Sequence, residues 1–159
     1  MVLENEFPQD ERVEKEIGSL LEAGHEIRIA AYTFGDRPST EAYEGYRVYR
    51  KRISRSMYKL GAAILVLPVY FGWWRRYIRK IYREWEFEAI HIHDLPLASL
   101  GAEFKARYGI RFVADQHEYY SNWIVQTAHY NTPAGKLVKA FSHWKRYERR
   151  YLRRADLVC

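Results

Sequence analysis

Two stretches of this chain impose a parallel arrangement. In residues 10–32, "DERVEKEIGSLLEAGHEIRIAAY", a helix-period segment runs straight into a β-type apolar run; in residues 88–116, "EAIHIHDLPLASLGAEFKARYGIRFVADQ", such a helix stands between two of them. Strands joined through a helix of this length lie parallel with a right-handed crossover, and helices must then cover the sheet. The first helix is marked by Val13, Ile17, Leu20 and Leu21 at helical spacing, with Asp10 as N-cap and Gly24 as stop. Five strands are predicted: "VLENEF", "EIRIAAY", "YRVYRKRI" (46–53), "EAIHIH" and "RFVADQ" (111–116). A long basic helix over 134–155 follows, and "ADLVC" begins another apolar run. The expected class is α/β, a three-layer domain with a parallel sheet. At 159 residues and 48% hydrophobic content, one domain with a core of ordinary size is the expectation. A parallel strand needs neighbours, so the final run reads as the edge of something larger.

Charge is unevenly spread. The net +6 hides an acidic segment over 1–44 and two basic ones, 45–84 with Glu84 as its sole acid and 136–154 with Glu148 as its sole acid. Such blocks suit a polyanion: anionic lipid, a phosphorylated substrate or nucleic acid. No RNP, KH or zinc-finger pattern is present, so no nucleic-acid partner is expected. The single cysteine, Cys159, excludes an internal disulfide, and "MVLENEFPQDE" lacks a signal-peptide pattern; a cytoplasmic location is expected.

The apolar segment 60–74 is too short to span a bilayer and is interrupted by Gly61, Pro68 and Gly72. Beyond it, Trp74, Tyr77, Ile78, Ile81, Tyr82 and Trp85 recur at helical spacing opposite Arg75, Arg76, Arg79, Lys80 and Arg83. Two readings stand: a helix packed on the sheet with a solvated basic face, or a membrane-surface helix with Trp73, Trp74, Arg75, Arg76, Arg79 and Lys80 at an anionic headgroup layer.

Ligands of open parallel α/β sheets bind beyond the carboxyl ends of the strands, where the strand order reverses. With order 3-2-1-4-5, Glu6, His93, Asp94, His117 and Glu118 come to one edge. No Gly-rich phosphate turn follows the first strand and no GxxxxGK[ST] occurs, so hydride transfer and P-loop chemistry are poorly supported. Asp94, just before Leu95 and Pro96, suits either a helix cap or a ligand contact. His91 suits packing. His93 lies nearer the rim, where helix N–H groups would favour an anion. His117 and Glu118 end a strand and suit hydrogen bonds to sugar or phosphate; Tyr119, Tyr120 and Trp123 offer flat faces to a sugar ring or cover the sheet end. A metal bound by His93, Asp94, His117 and Glu118 is chemically feasible, but the spacing is generic and no metal is expected.

"FPQDERVEKEIGSLLEAGHEIRIAAY", "AIHIHDLPLASLG", "FVADQHEYYSNW" and "WKRYERRYLRRADLVC", in this order and spacing, resemble the N-terminal domain of family 4 glycosyltransferases. The resemblance implies a Rossmann-like domain over 1–159, one half of a GT-B fold, truncated before a donor-binding domain. It implies transfer of a hexosyl unit with retention, from a nucleotide-sugar held mainly by the missing half to a sugar or lipid-linked acceptor, as in cell-envelope polysaccharide synthesis, and no cofactor or metal. Carried over by position, the loop Glu6, Phe7 to Asp10 and the stretch His93 to Leu95 would line the acceptor side. His117 would reach the donor sugar, with Glu118 beside it. The family's Gly-rich first loop is replaced here by "ENEFPQD". The alternative reading is a non-catalytic membrane-docking subunit that recruits a catalytic partner, and a peripheral position on the inner membrane face would fit both.

Overall fold

A computed structural model describes residues 1–8, 10–43, 45–61, 68–116 and 140–159, with side chains of the last segment from 143 onward. The chain divides into two compact units, Met1–Arg55 and Ser56–Cys159.

In the first unit, α1 (Glu11–Glu22) starts where Asp10 Oδ1 accepts the Val13 N–H at 3.4 Å. It stops where Gly24, at φ 85°, lets its own N–H reach Leu21 O and that of His25 reach Leu20 O. This is the left-handed Schellman exit that glycine adopts most cheaply. Val13 and Ile17 face a core of Leu3, Phe7, Ile27, Ile29, Ala31 and Val48. β1 (Ile27–Thr33) is buried along nearly its whole length and pairs in parallel with β3 (Tyr46–Arg52). Its other edge carries Val2, bridged in parallel to Ala30. The neighbour order is therefore the expected one: 46–53 run, 26–32 run, amino-terminal segment.

Two differences appear here. The predicted first strand "VLENEF" contributes one bridge, because the chain leaves the ladder to form the loop around Phe7. Between β1 and β3 there is a further strand, β2 (Thr40–Tyr43), antiparallel to β3 at the edge, with Gly45 at φ 82° in the turn. Strand–helix alternation thus fails at this connection.

Arg50 ties these pieces together. Its side chain is fully buried, with Nε donating to Phe7 O at 2.9 Å, Nη1 to Glu41 Oε2 at 2.7 Å and Nη2 to the Tyr43 hydroxyl at 3.1 Å. A planar fork supplies several donors at fixed angles, which suits three acceptors in different directions.

The second unit contains α2 (Arg55–Gly61, beginning at the boundary), α3 (Val69–Glu84), β4 (Ala89–His93), a 3₁₀ turn (Leu95–Leu97), α4 (Ala98–Tyr108), β5 (Arg111–Asp115), α5 (Ala140–Leu152) and β6 (Leu157–Val158). β4, β5 and β6 are neighbours in that order and all parallel, with α4 as the crossover between the first two. Gly101 brings α4 against β5 so closely that a Cβ there would meet the Phe112 ring at 2.2 Å. Gly109, at φ 71°, ends the helix. The basic helix predicted over 134–155 corresponds to α5; residues before 140 lie outside the described ones.

α3 packs Tyr70, Trp74, Tyr77, Ile78 and Ile81 inward. Among the described residues no helix is long and apolar enough to cross a membrane. α5 buries Trp144 and Tyr147. At its exit Asp156 accepts from Lys105 Nζ at 2.6 Å and from the Phe112 N–H at 2.8 Å, fixing the entry of β6 to α4 and β5. These bonds hold the Asp156 carboxyl below its ordinary range, the lysine first and the amide second.

Candidate functional site

Each unit presents the carboxyl ends of its parallel strands as a rim. In the first unit, Glu6 leaves the amino-terminal segment and lays its carboxylate across the end of β1. Oε1 accepts from the Phe34 N–H and from the Thr33 hydroxyl, both at 2.8 Å, and that hydroxyl takes the Gly35 N–H at 3.2 Å. The amide bond, then the hydroxyl bond, hold Glu6 below the usual carboxylate range. Phe34, just past β1, also lines a hollow of about 330 Å³ with Arg52, the last residue of β3, and with Ile53, Ser54 and Arg55 beyond it. The Arg55 guanidinium stands 5.4 Å from the Phe34 ring centroid, within cation–π range. A carboxylate, an aromatic face and two guanidinium groups thus share one strand-end edge. Such an edge can hold a polyhydroxylated or anionic ligand by hydrogen bonds and charge.

The neighbours of Glu6 that the sequence marked for the same edge do other work. Phe7 is wholly buried, edge-on to Tyr46, because the loop must cover the apolar end of α1. Asp10 is the helix cap. The Phe7 ring is thereby withheld from solvent, while the Asp10 carboxylate stays partly exposed.

In the second unit, strand alternation sets His91 and His93 on one face of β4, ring centroids 4.4 Å apart. The parallel register places His93 opposite Asp115 of β5, and Nδ1 stands 3.2 Å from Asp115 Oδ2. His93 is 1% exposed and Asp115 9%. His93 therefore lies inside the rim rather than on it. Asp94 departs from the capping expectation: its φ of 69° sends the chain sharply over the strand end, its side chain makes no capping bond, and its N–H donates to Asp115 O at 3.0 Å. The first turn of α4 is capped from another helix, since the Tyr147 hydroxyl takes the Ser99 N–H at 2.9 Å and donates to Pro96 O at 2.8 Å. The Ser99 amide, expected to help favour an anion near His93, is thereby engaged.

His117, Glu118, Tyr119 and Trp123 lie outside the described residues. Asp115, Thr33 and Arg50 were missed in the sequence. Asp115 lies out of phase with the buried Phe112 and Ala114 of "RFVAD", on the face that carries Arg111 and Val113, and its partner is set by register, which no local pattern encodes.

Of the residues expected at a membrane surface, Trp74 is buried in the core. Arg75 Nε donates to both Glu103 oxygens at 2.7 and 2.9 Å, and Arg79 Nη2 to one at 2.9 Å. Trp73 is half-buried; Arg76, Lys80 and Arg83 are exposed. A lipid surface meeting α3 would find these three cations and not the Trp74 ring.

The same fold occurs in solved structures. Sucrose-phosphate synthase from Thermosynechococcus elongatus matches over 99% of this chain and 43% of its own, with a TM-score of 0.58 at 13% identity. A second, shorter chain of that enzyme matches over 99% and 84%, with a TM-score of 0.57 at 13% identity. The present chain thus spans less than half of the first. No curated protein sequence matches it. The α/β class with a Rossmann-like parallel sheet, one half of a GT-B fold, is the class this architecture defines. Residues 10–159 match the sequence profile of the glycosyl transferase 4-like domain, and the chain belongs to that family.

Proposed function

We propose that this chain is the acceptor-binding half of a retaining glycosyltransferase, a single functional domain over 1–159 that works with a donor-binding domain outside it. The family match over residues 10–159 is the observation that carries this reading. The rim of Glu6, Phe34, Arg52 and Arg55 supports an acceptor with hydroxyl and anionic groups, such as a sugar on a lipid diphosphate. Glu6, held ionised by two donors, would accept from acceptor hydroxyls, and the guanidinium groups would neutralise phosphate oxygens. A nucleotide-sugar would be held by the other domain, and a hexosyl unit would pass with its anomeric configuration retained. His117 would position that sugar, with Glu118 beside it, and fixed donors would stabilise charge on the leaving diphosphate. The exposed Arg76, Lys80 and Arg83 support a cytoplasmic site of action on the inner membrane face.

The test is transfer from a panel of radiolabelled nucleotide-sugars to lipid-extract acceptors, using the isolated chain and the same chain joined to a donor-binding domain. The isolated chain should be inactive and the joined protein active, with the anomer of the product matching the donor. A joined protein that is folded yet binds no nucleotide-sugar overturns the reading.

A further inference from the structure

We propose that His91, His93 and Asp115 form a binding site for one divalent transition-metal ion of the zinc class. The site follows from sheet geometry. Residues two apart on a strand project to the same face, so the H-x-H spacing of β4 aims two imidazoles one way, with centroids 4.4 Å apart. Parallel pairing sets His93 level with Asp115, which adds a carboxylate from the adjacent strand. One ligand atom from each of the three lies within 4.8 Å of the others. Tetrahedral coordination with bonds of about 2.0–2.2 Å sets neighbouring donors roughly 3.5 Å apart, so binding requires the three donors to draw closer.

Donor chemistry selects the ion. Two imidazoles and one carboxylate match zinc, cobalt or nickel, whereas magnesium and calcium need more oxygen donors. The backbone is braced where the ligands attach: the β4–β5 ladder holds both strands, and the Asp94 N–H closes on Asp115 O at 3.0 Å. His93 and Asp115 are buried and His91 is half-buried, so the donors sit in a region of lowered dielectric, where a carboxylate attracts a cation more strongly than in water. Sequence spacing pointed away from a metal because it grouped His93 with Asp94, His117 and Glu118; the register of β5 supplies Asp115 instead.

The chain, stripped of metal with a chelator, is titrated with cobalt(II), followed by visible absorption, and with zinc(II), followed by calorimetry. One equivalent should bind, with the intense visible bands of a low-coordinate cobalt site. His91→Gln and Asp115→Asn, checked for folding by circular dichroism, should each weaken binding at least tenfold, while His25→Ala, on an exposed histidine, should bind as the parent does. Absence of saturable binding overturns the proposal, as does binding that survives His91→Gln or disappears with His25→Ala. If one of the first two variants fails to fold, the other decides the question. Should both fail, histidine ring-proton shifts in the parent on zinc addition decide it: perturbation of His91 and His93 supports the site, and perturbation elsewhere overturns it.

Discussion

The Tyr147 hydroxyl, contributed by α5, caps the first turn of α4 by accepting the Ser99 N–H at 2.9 Å while donating to Pro96 O at 2.8 Å. A helix entered through Leu97 without a side-chain cap thus borrows one from a residue 48 positions away. Tyr147→Phe keeps the ring packing but leaves the Ser99 amide and the Pro96 carbonyl without this partner. It should lower unfolding free energy by about 1–3 kcal/mol, read from urea denaturation. A change below a few tenths would show that water replaces the hydroxyl at no cost.

Gly101 should be intolerant of even one added carbon. The Cβ of Gly101→Ala would lie 2.2 Å from the Phe112 ring, which is itself fully buried. Alanine normally favours a helix, so the propensity gain and the steric clash oppose each other, and the clash should win by about 1–3 kcal/mol. Phe112→Leu makes room at the cost of a cavity. The double variant should be more stable than the sum of the two single effects, because the two positions touch. Strict additivity in thermal melts would contradict the contact.

Glu6 gives a pH signature with a definite sign. Its carboxyl is held below the ordinary value of 4.5 by the Phe34 amide and the Thr33 hydroxyl. A group whose folded pKa is depressed stabilises the fold fully above its unfolded pKa, and that contribution fades as pH falls through the folded pKa. The stability difference between the parent and Glu6→Gln should therefore be constant near neutrality and shrink on acidification from about pH 5 downward. A difference that grows on acidification would refute this assignment.

Anionic vesicles provide the check on the membrane proposal. Replacing Arg76, Lys80 and Arg83 together by glutamine should reduce co-sedimentation with phosphatidylserine vesicles at least tenfold, since each basic side chain near such a surface contributes about 1 kcal/mol. Arg75→Gln alone should change it little, as that guanidinium is engaged by Glu103. Equal sedimentation with neutral and anionic vesicles would remove charge from the explanation.

The parts of the fold legible in the sequence are those written locally. Asp10 and Gly24 bracket α1 within one run of residues, and the alternation of Ile90 and Ile92 with His91 and His93 announces the face on which the histidines lie. Four short features defeat local reading. β2 is four residues long, exposed at alternate positions and contains Glu41, so neither length nor apolarity marks it. Arg50 stands in the basic run "YRKR", where nothing distinguishes a buried cation from its solvated neighbours; only the acceptors gathered from Phe7, Glu41 and Tyr43 do. Trp73 and Trp74 look alike in sequence, yet a helix turns successive residues by about 100°, and only the second points fully inward. Asp115 finds His93 through strand register, a long-range property. At the candidate site the loop after the first strand sets Glu6 at the end of β1, while Phe7 fills the core, and which of its side chains turns inward depends on the packing of α1.

Arg50 also bears on how the rim proposed to bind the acceptor could change. The loop that presents Glu6 and the β2–β3 hairpin are fastened to the same guanidinium, so a substitution or insertion in the 38–43 stretch pulls on the Phe7 carbonyl, one residue from Glu6. Selection acting on the outer edge of the sheet would then shift the Glu6 carboxylate without touching it. Randomising the hairpin while keeping the arginine would then vary the proposed binding rim from a distance.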